Sequence, residues 1–165
     1  MDLAPVGLTN LEIILDELSK HPLVPIWTPE GKELLACVMY ALPQVEDKVF
    51  HSFAPGIYIR EAHYPTAALV VGEDHVGEHI TELLQGSANL FLEDGTVQTV
   101  HAPYRFVANK GRKLGYMLTD CIWQNIFATT ETDIEVLERT LVNPSKSKEE
   151  YKRKQLWHSQ QSLQS

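Results

Sequence analysis

The spacing of apolar positions changes twice along the chain, and each change marks a change in the type of element. Between Leu8 and Leu42 apolar residues recur every three or four positions, the period of a helix with one buried face. Leu11, Ile13, Ile14, Leu15 and Leu18 predict a first helix, which Thr9 or Asn10 can cap and which Pro22 and Pro25 end. Thr28-Pro29-Glu30 starts a second, with Thr as N-cap, Pro at the first helical position and an acid in the first turn. Leu34, Leu35, Val38, Met39 and Leu42 carry it to Pro43, and a stripe of this kind is expected to pack on a core.

From Gly56 to Phe127 the period falls to two and the segments shorten. Strands are expected at Ile57–Arg60, Ala67–Val71, His79–Leu84, Ala88–Leu92, Val97–Val100, Tyr104–Val107, Leu114–Leu118 and Cys121–Phe127. Gly72, Gly86-Ser87, Asp94-Gly95, Ala102-Pro103, Asn109 to Gly111 and Thr119-Asp120 punctuate them, and Asp94-Gly95 is the clearest hairpin turn. Many short, evenly spaced strands predict an antiparallel sandwich or barrel. Thr132 can cap a last helix through Ile134–Arg139, finished by Leu141. After Asn143-Pro144 the chain turns polar and is expected to be a largely disordered tail, with Trp157 as its exception. The expected organisation is a helical segment over 1–50 packed on a barrel over 51–128, a helix within 129–143 and the tail over 144–165.

Composition narrows the class. The 165 residues suit one domain, 44% hydrophobic and 22% charged, which is ordinary for a soluble globular protein. A formal charge of −8 disfavours binding to nucleic acid, and the small basic cluster Lys110, Arg112 and Lys113 is expected to be a solvated loop. Cys37 and Cys121 are too few for a disulfide framework and predict two free thiols in a reducing compartment. No apolar run approaches the ~20 residues that span a bilayer, and Met1 to Thr9 lacks the features of a signal peptide. A soluble, cytoplasmic protein is expected, with no membrane partner.

The candidate chemistry lies in Glu73-Asp74-His75-Val76-Gly77-Glu78-His79. Glu73 and His75 are two apart and share one face of an extended segment, and His79 opens the next stretch. Two imidazoles and a carboxylate aimed at one point suit a divalent transition metal; the alternative is two ordinary histidines around a polar turn. Tyr58, Tyr116 and Trp123 are candidate lining residues of a barrel mouth, and His101 sits at a strand end from which it can reach the pocket. His51 is expected to be a structural hydrogen-bond partner, and His63 to occupy an edge or turn beside Pro65. Cys121 has no base placed beside it. The sequence holds no Ser/His/Asp arrangement, no Gly-rich phosphate loop and no CxxC pair.

These residues carry a resemblance. Glu73-x-His75-x-x-x-His79, then six residues and Gly86, resembles the first sequence motif of the cupins. Glu73 stands at that motif's first His, His79 at its Glu, and Ala67 at its opening Gly. Around the second motif Asn109 takes the Pro place, Leu114 the fourth ligand position and Leu118 the Asn position. The chain is also similar, over nearly its whole length, to small cupin-like proteins of tailed bacteriophages and prophages. Ala41-Leu42-Pro43-Gln44-Val45, Phe53-Ala54-Pro55-Gly56-Ile57-Tyr58, His75-x-x-x-His79, Ala102-Pro103-Tyr104 and Glu131-Thr132-Asp133-Ile134 are the matching segments.

The resemblance implies a mostly β, cupin-type double-stranded β-helix (jelly-roll) barrel with N-terminal helices and one C-terminal helix. It implies a metal site at Glu73, His75 and His79 for Fe, Zn, Ni or Mn, with Leu114 removing the fourth ligand. It also implies a homodimer or higher homo-oligomer, and phage proteins as further partners, in the host cytoplasm or in the virion. The function expected first is a non-catalytic module that binds a metal or small ligand. The alternatives are a phage structural or accessory protein and a metal-dependent dioxygenase or isomerase. The missing fourth ligand and the lack of an acid/base partner weigh against catalysis.

Overall fold

A computed structural model of the chain describes residues 25, 27–45 and 48–164. The helix expected over Leu11 to Leu18 lies outside them. Nine strands follow the first described helix: β1 (Lys48–Ala54), β2 (Ile57–Tyr64), β3 (Leu69–Val71), β4 (His79–Gln85), β5 (Ser87–Phe91), β6 (Val97–His101), β7 (Tyr104–Ala108), β8 (Leu114–Met117) and β9 (Cys121–Ala128). All eight expected strands are present, and β1 is an addition: it pairs along its whole length with β2 as an edge strand.

The strands form two antiparallel sheets, in the orders β1-β2-β9-β4-β7 and β3-β8-β5-β6. From β2 onward the chain crosses between the sheets at every connection except the β5–β6 hairpin, and β9, the last strand, sits between β2 and β4. This interleaving is a jelly roll, the two-sheet architecture that cupins share. Alternation supplies the core between the sheets: Ala62, Tyr64, Leu83, Cys121 and Trp123 from one meet Val70, Ala88, Val100 and Met117 from the other. The Cys121 thiol is buried there, donates to the Ser87 and Thr119 carbonyls, and is pushed up in pKa by that burial.

Glycine sits where the turns need it. Gly95 lies at φ +85° in the β5–β6 hairpin read from Asp94-Gly95. Gly86, at φ +92° between β4 and β5, lies so close to the Asp120 carbonyl that a Cβ would stand 2.3 Å from it.

The first described helix, α1 (Pro29–Tyr40), begins as its sequence predicts, with the Thr28 hydroxyl accepting from the Gly31 N–H. Leu35, Ala36, Met39 and Tyr40 bury its apolar stripe against Val71 and Leu114, on the outer face of the four-stranded sheet. Two helices follow the barrel. The first, α2 (Ile134–Thr140), is capped by Asp133, one residue later than the Thr132 cap expected. The second, α3 (Lys146–Ser162), occupies the stretch expected to be a disordered tail. Ser145 caps it, and Tyr151 stacks on Tyr40 with ring centroids 4.9 Å apart, while Trp157 remains exposed. Among the described residues no helix is long and apolar enough to cross a membrane.

Candidate functional site

Strand register sets out the inner wall of the five-stranded sheet in rows. Tyr58 lies opposite Phe127, and His79 opposite Ala108, with the Phe127 and His79 rings 4.9 Å apart between them. The next row runs Arg60, Asn125, Thr81, Phe106, and the one below it Ala62, Trp123, Leu83, Tyr104. Polar side chains are thus confined to the two upper rows, above an apolar floor. The rows border a cavity of about 130 Å³, faced across the barrel by Val70, Gly115 and Met117.

The segment after the barrel closes the upper end. Leu137 and Leu141 pack on Tyr58 and Phe127, and Glu138 and Val142 also line the cavity. His75 belongs to no strand. Its backbone is bridged to Gly111 on one side and to Val142 on the other, which fixes the imidazole over the same opening. The Val76 N–H donates to the Leu141 carbonyl, and the Asn143 N–H to that of Asp74.

His75 and His79 come together as their spacing suggests: both are buried, their ring centroids lie 4.2 Å apart, and each stacks on Phe127. The His79 Nδ1 lies 3.2 Å from the Gly77 carbonyl, which only accepts, so Nδ1 carries the proton and Nε2 is the free acceptor. Burial holds His79 below the usual imidazole pKa.

Glu73 lines the same cavity but is engaged differently. Its carboxylate is ion-paired with the Lys148 ammonium of α3. Burial alone would push the Glu73 pKa up; positive charge beside it, that of Lys148 included, more than offsets this and leaves it below the ordinary range. The two-imidazole, one-carboxylate set expected for a metal is therefore not assembled. Among the described residues no three His, Cys, Asp or Glu side chains are grouped so as to hold a metal ion. The donor set does not fit a resident Fe, Zn, Ni or Mn ion, and Leu114, 2% exposed, fills the position of the fourth ligand with core.

The other candidates divide. Tyr58 and Trp123 line the cavity, the first bonded through its hydroxyl to His51 Nδ1 at 2.7 Å, the second donating from Nε1 to the Met117 sulfur. Tyr116 does not line it: opposite Leu69 and Asn89, it faces the other way from Gly115, which does. His101 does not either, being exposed at the end of β6 and bonded to the Ser87 hydroxyl. Thr81 and Asn125 are the wall residues that the sequence left unmarked, with the Thr81 hydroxyl donating to Asn125 Oδ1 at 2.9 Å. Stepping by two from His79 to Thr81, or from Trp123 to Asn125, finds them.

Comparison with solved structures finds jelly-roll neighbours at low identity. An acetylacetone dioxygenase from Acinetobacter johnsonii aligns at TM-score 0.41 and 12% identity, over 53% of this chain and 65% of that one. The KdgF protein of Halomonas sp. aligns at TM-score 0.42 and 18% identity, over 55% and 86%. Ectoine synthase from P. lautus aligns at TM-score 0.47 and 8% identity, over 62% and 78%. No protein-family model and no curated protein matches the chain. The fold assignment rests on the strand order itself.

Proposed function

We propose that the barrel is a binding module for a small uncharged ligand with an aromatic or alicyclic body, held without turnover. The observation that carries this is the cavity of about 130 Å³ with rings along one wall and Thr81, Asn125 and His79 above an apolar floor. A dry cavity of about 150 Å³ holds a benzene-sized guest, so the volume suits a ligand of that size. The His79 Nε2 acceptor and the Asn125 amide supply hydrogen bonds to it. The buried Cys121 thiol, high in pKa, and the Glu73 carboxylate, engaged by Lys148, favour binding over catalysis. Phenol is a suitable probe. Titrated into ¹⁵N-labelled protein, it should shift the Thr81, Asn125 and Phe127 resonances, and Gly115→Val, which fills the cavity, should abolish the response. Absence of shifts at millimolar phenol would reject the reading.

The outer face of the five-stranded sheet supports a second role, as a scaffold that assembles with its own copies. Ile59, Ile126, Ile80 and Val107 lie directly opposite one another across four strands, with Ile57 and Leu84 exposed beside them. An apolar row across an exposed sheet face is a pattern of interfaces. In this reading the chain is a homodimer, and the resemblance to phage proteins adds a virion or phage-assembly partner. Light scattering should give a dimer for the native chain and a monomer for Ile126→Lys; a native monomer at micromolar concentration would count against it.

A further inference from the structure

Lys110, Arg112 and Lys113 read in sequence as a solvated basic loop, but two of the three are turned inward. Adjacent residues of an extended segment point to opposite sides. Arg112 goes one way, to Glu33 at 2.7 Å and the Gly72 carbonyl at 2.9 Å. Lys113 goes the other, into the wall between the histidine cavity and a neighbouring chamber of about 280 Å³, which also share Leu90, Phe106 and Leu114. Lys32, 4% exposed in the first turns of α1, enters the same chamber from another direction.

Each ammonium makes one hydrogen bond to a backbone carbonyl, Lys32 to Arg112 at 2.9 Å and Lys113 to Asn109 at 2.8 Å. An ammonium has three donors, so each keeps donors to spare. Among the described residues neither is ion-paired to a carboxylate. Burial lowers the pKa of each, while Glu93 attracts both from a distance and Asp74 attracts Lys113. Of the residues that line the chamber, two are positive and one negative, with Leu90, Phe91 and Phe106 as apolar walls. Burying like charges together is costly unless an anion joins them.

We propose that this chamber is a second binding site, for a small organic carboxylate: Lys32 and Lys113 hold the anion, and Leu90, Phe91 and Phe106 hold its apolar body. The two sites share a wall, but Lys32, Phe91 and Asn109 line only this chamber and Thr81 and Asn125 only the histidine cavity, so either can fail without the other.

Benzoate titrated into the ¹⁵N-labelled full chain tests it, with benzamide as neutral isostere and inorganic phosphate as bare anion. Benzoate should shift Lys32, Phe91, Leu92 and Asn109 while Thr81 and Asn125 stay in place. Lys32→Met should weaken binding at least about ten-fold, by loss of a charged contact. Because that change also removes a tie between α1 and the barrel, Glu93→Gln on the exposed turn is the second variant. It should tighten benzoate several-fold, by removing the competing negative charge. The proposal fails if benzamide or phosphate binds as tightly as benzoate, if Glu93→Gln leaves the affinity unchanged, or if the shifts fall on Thr81 and Asn125 instead.

Discussion

The imidazoles of His75 and His79 lie 4.2 Å apart, centroid to centroid, and Phe127 stacks on both. For His79, burial lowers the folded pKa below the ordinary value of 6.5. As pH falls beneath that value the unfolded chain takes up a proton that the folded chain resists, so stability is complete above it and declines below. The urea midpoint should therefore drop between about pH 7 and pH 5, and drop less in His79→Gln. An equal slope in both proteins would contradict the lowered His79 pKa.

Leu137 seals the upper end of the cavity against Tyr58 and Phe127, at 1% exposure. Leu137→Ala should cost about 2–5 kcal/mol in urea unfolding, since the surrounding rings cannot collapse fully into the void. It should also admit phenol faster than the native chain does, as seen in NMR exchange broadening.

The Glu73–Lys148 pair joins α3 to the cavity rim. Lys148→Met should destabilise by about 1–3 kcal/mol, because a buried carboxylate loses an ionic partner. Adding Glu73→Gln should recover part of that loss, and a double-mutant cycle measures the coupling. The Glu73 pKa is depressed in the fold, so its stabilisation is present above the ordinary carboxyl pKa and is lost as pH falls through the folded one. Glu73→Gln should flatten the acid limb of the stability curve.

At Gly86 a methyl group would meet the Asp120 carbonyl, the Cys121 sulfur and the Thr119 hydroxyl at a backbone angle unsuited to an L side chain. Gly86→Ala should lower stability by at least about 2 kcal/mol, combining strain and overpacking. Gly77→Ala, where a Cβ meets nothing within 4 Å, is the control and should change little.

The eight expected strands were legible because glycines, prolines and Asp-Gly punctuate them in sequence, and turn residues act locally. β1 was not, since Lys48–Ala54 gains its order from pairing with β2. α3 is not legible for the same reason: it has no continuous apolar face, and Ser145 and the Tyr151–Tyr40 stack support it instead. In the site, the His75/His79 spacing was a local signal and survived. The partner of Glu73 was not local, because Lys148 lies 75 residues away in sequence. For Tyr116 residue type suggests a lining role, but strand phase decides, and the phase sends Gly115 inward.

The central place of β9 has a consequence for how the molecule comes into being. Until residues 121–128 have been made, β2 and β4 lack the strand that joins them, and each offers an open row of amides and carbonyls to any neighbour. The pairing of β2 with β9 joins residues that are 57 to 71 positions apart, a slow step by its entropy. The nascent polypeptide on the ribosome is thus most vulnerable to self-association just before its last strand emerges. Its yield on expression should respond to temperature and chaperone supply more than its equilibrium stability would suggest.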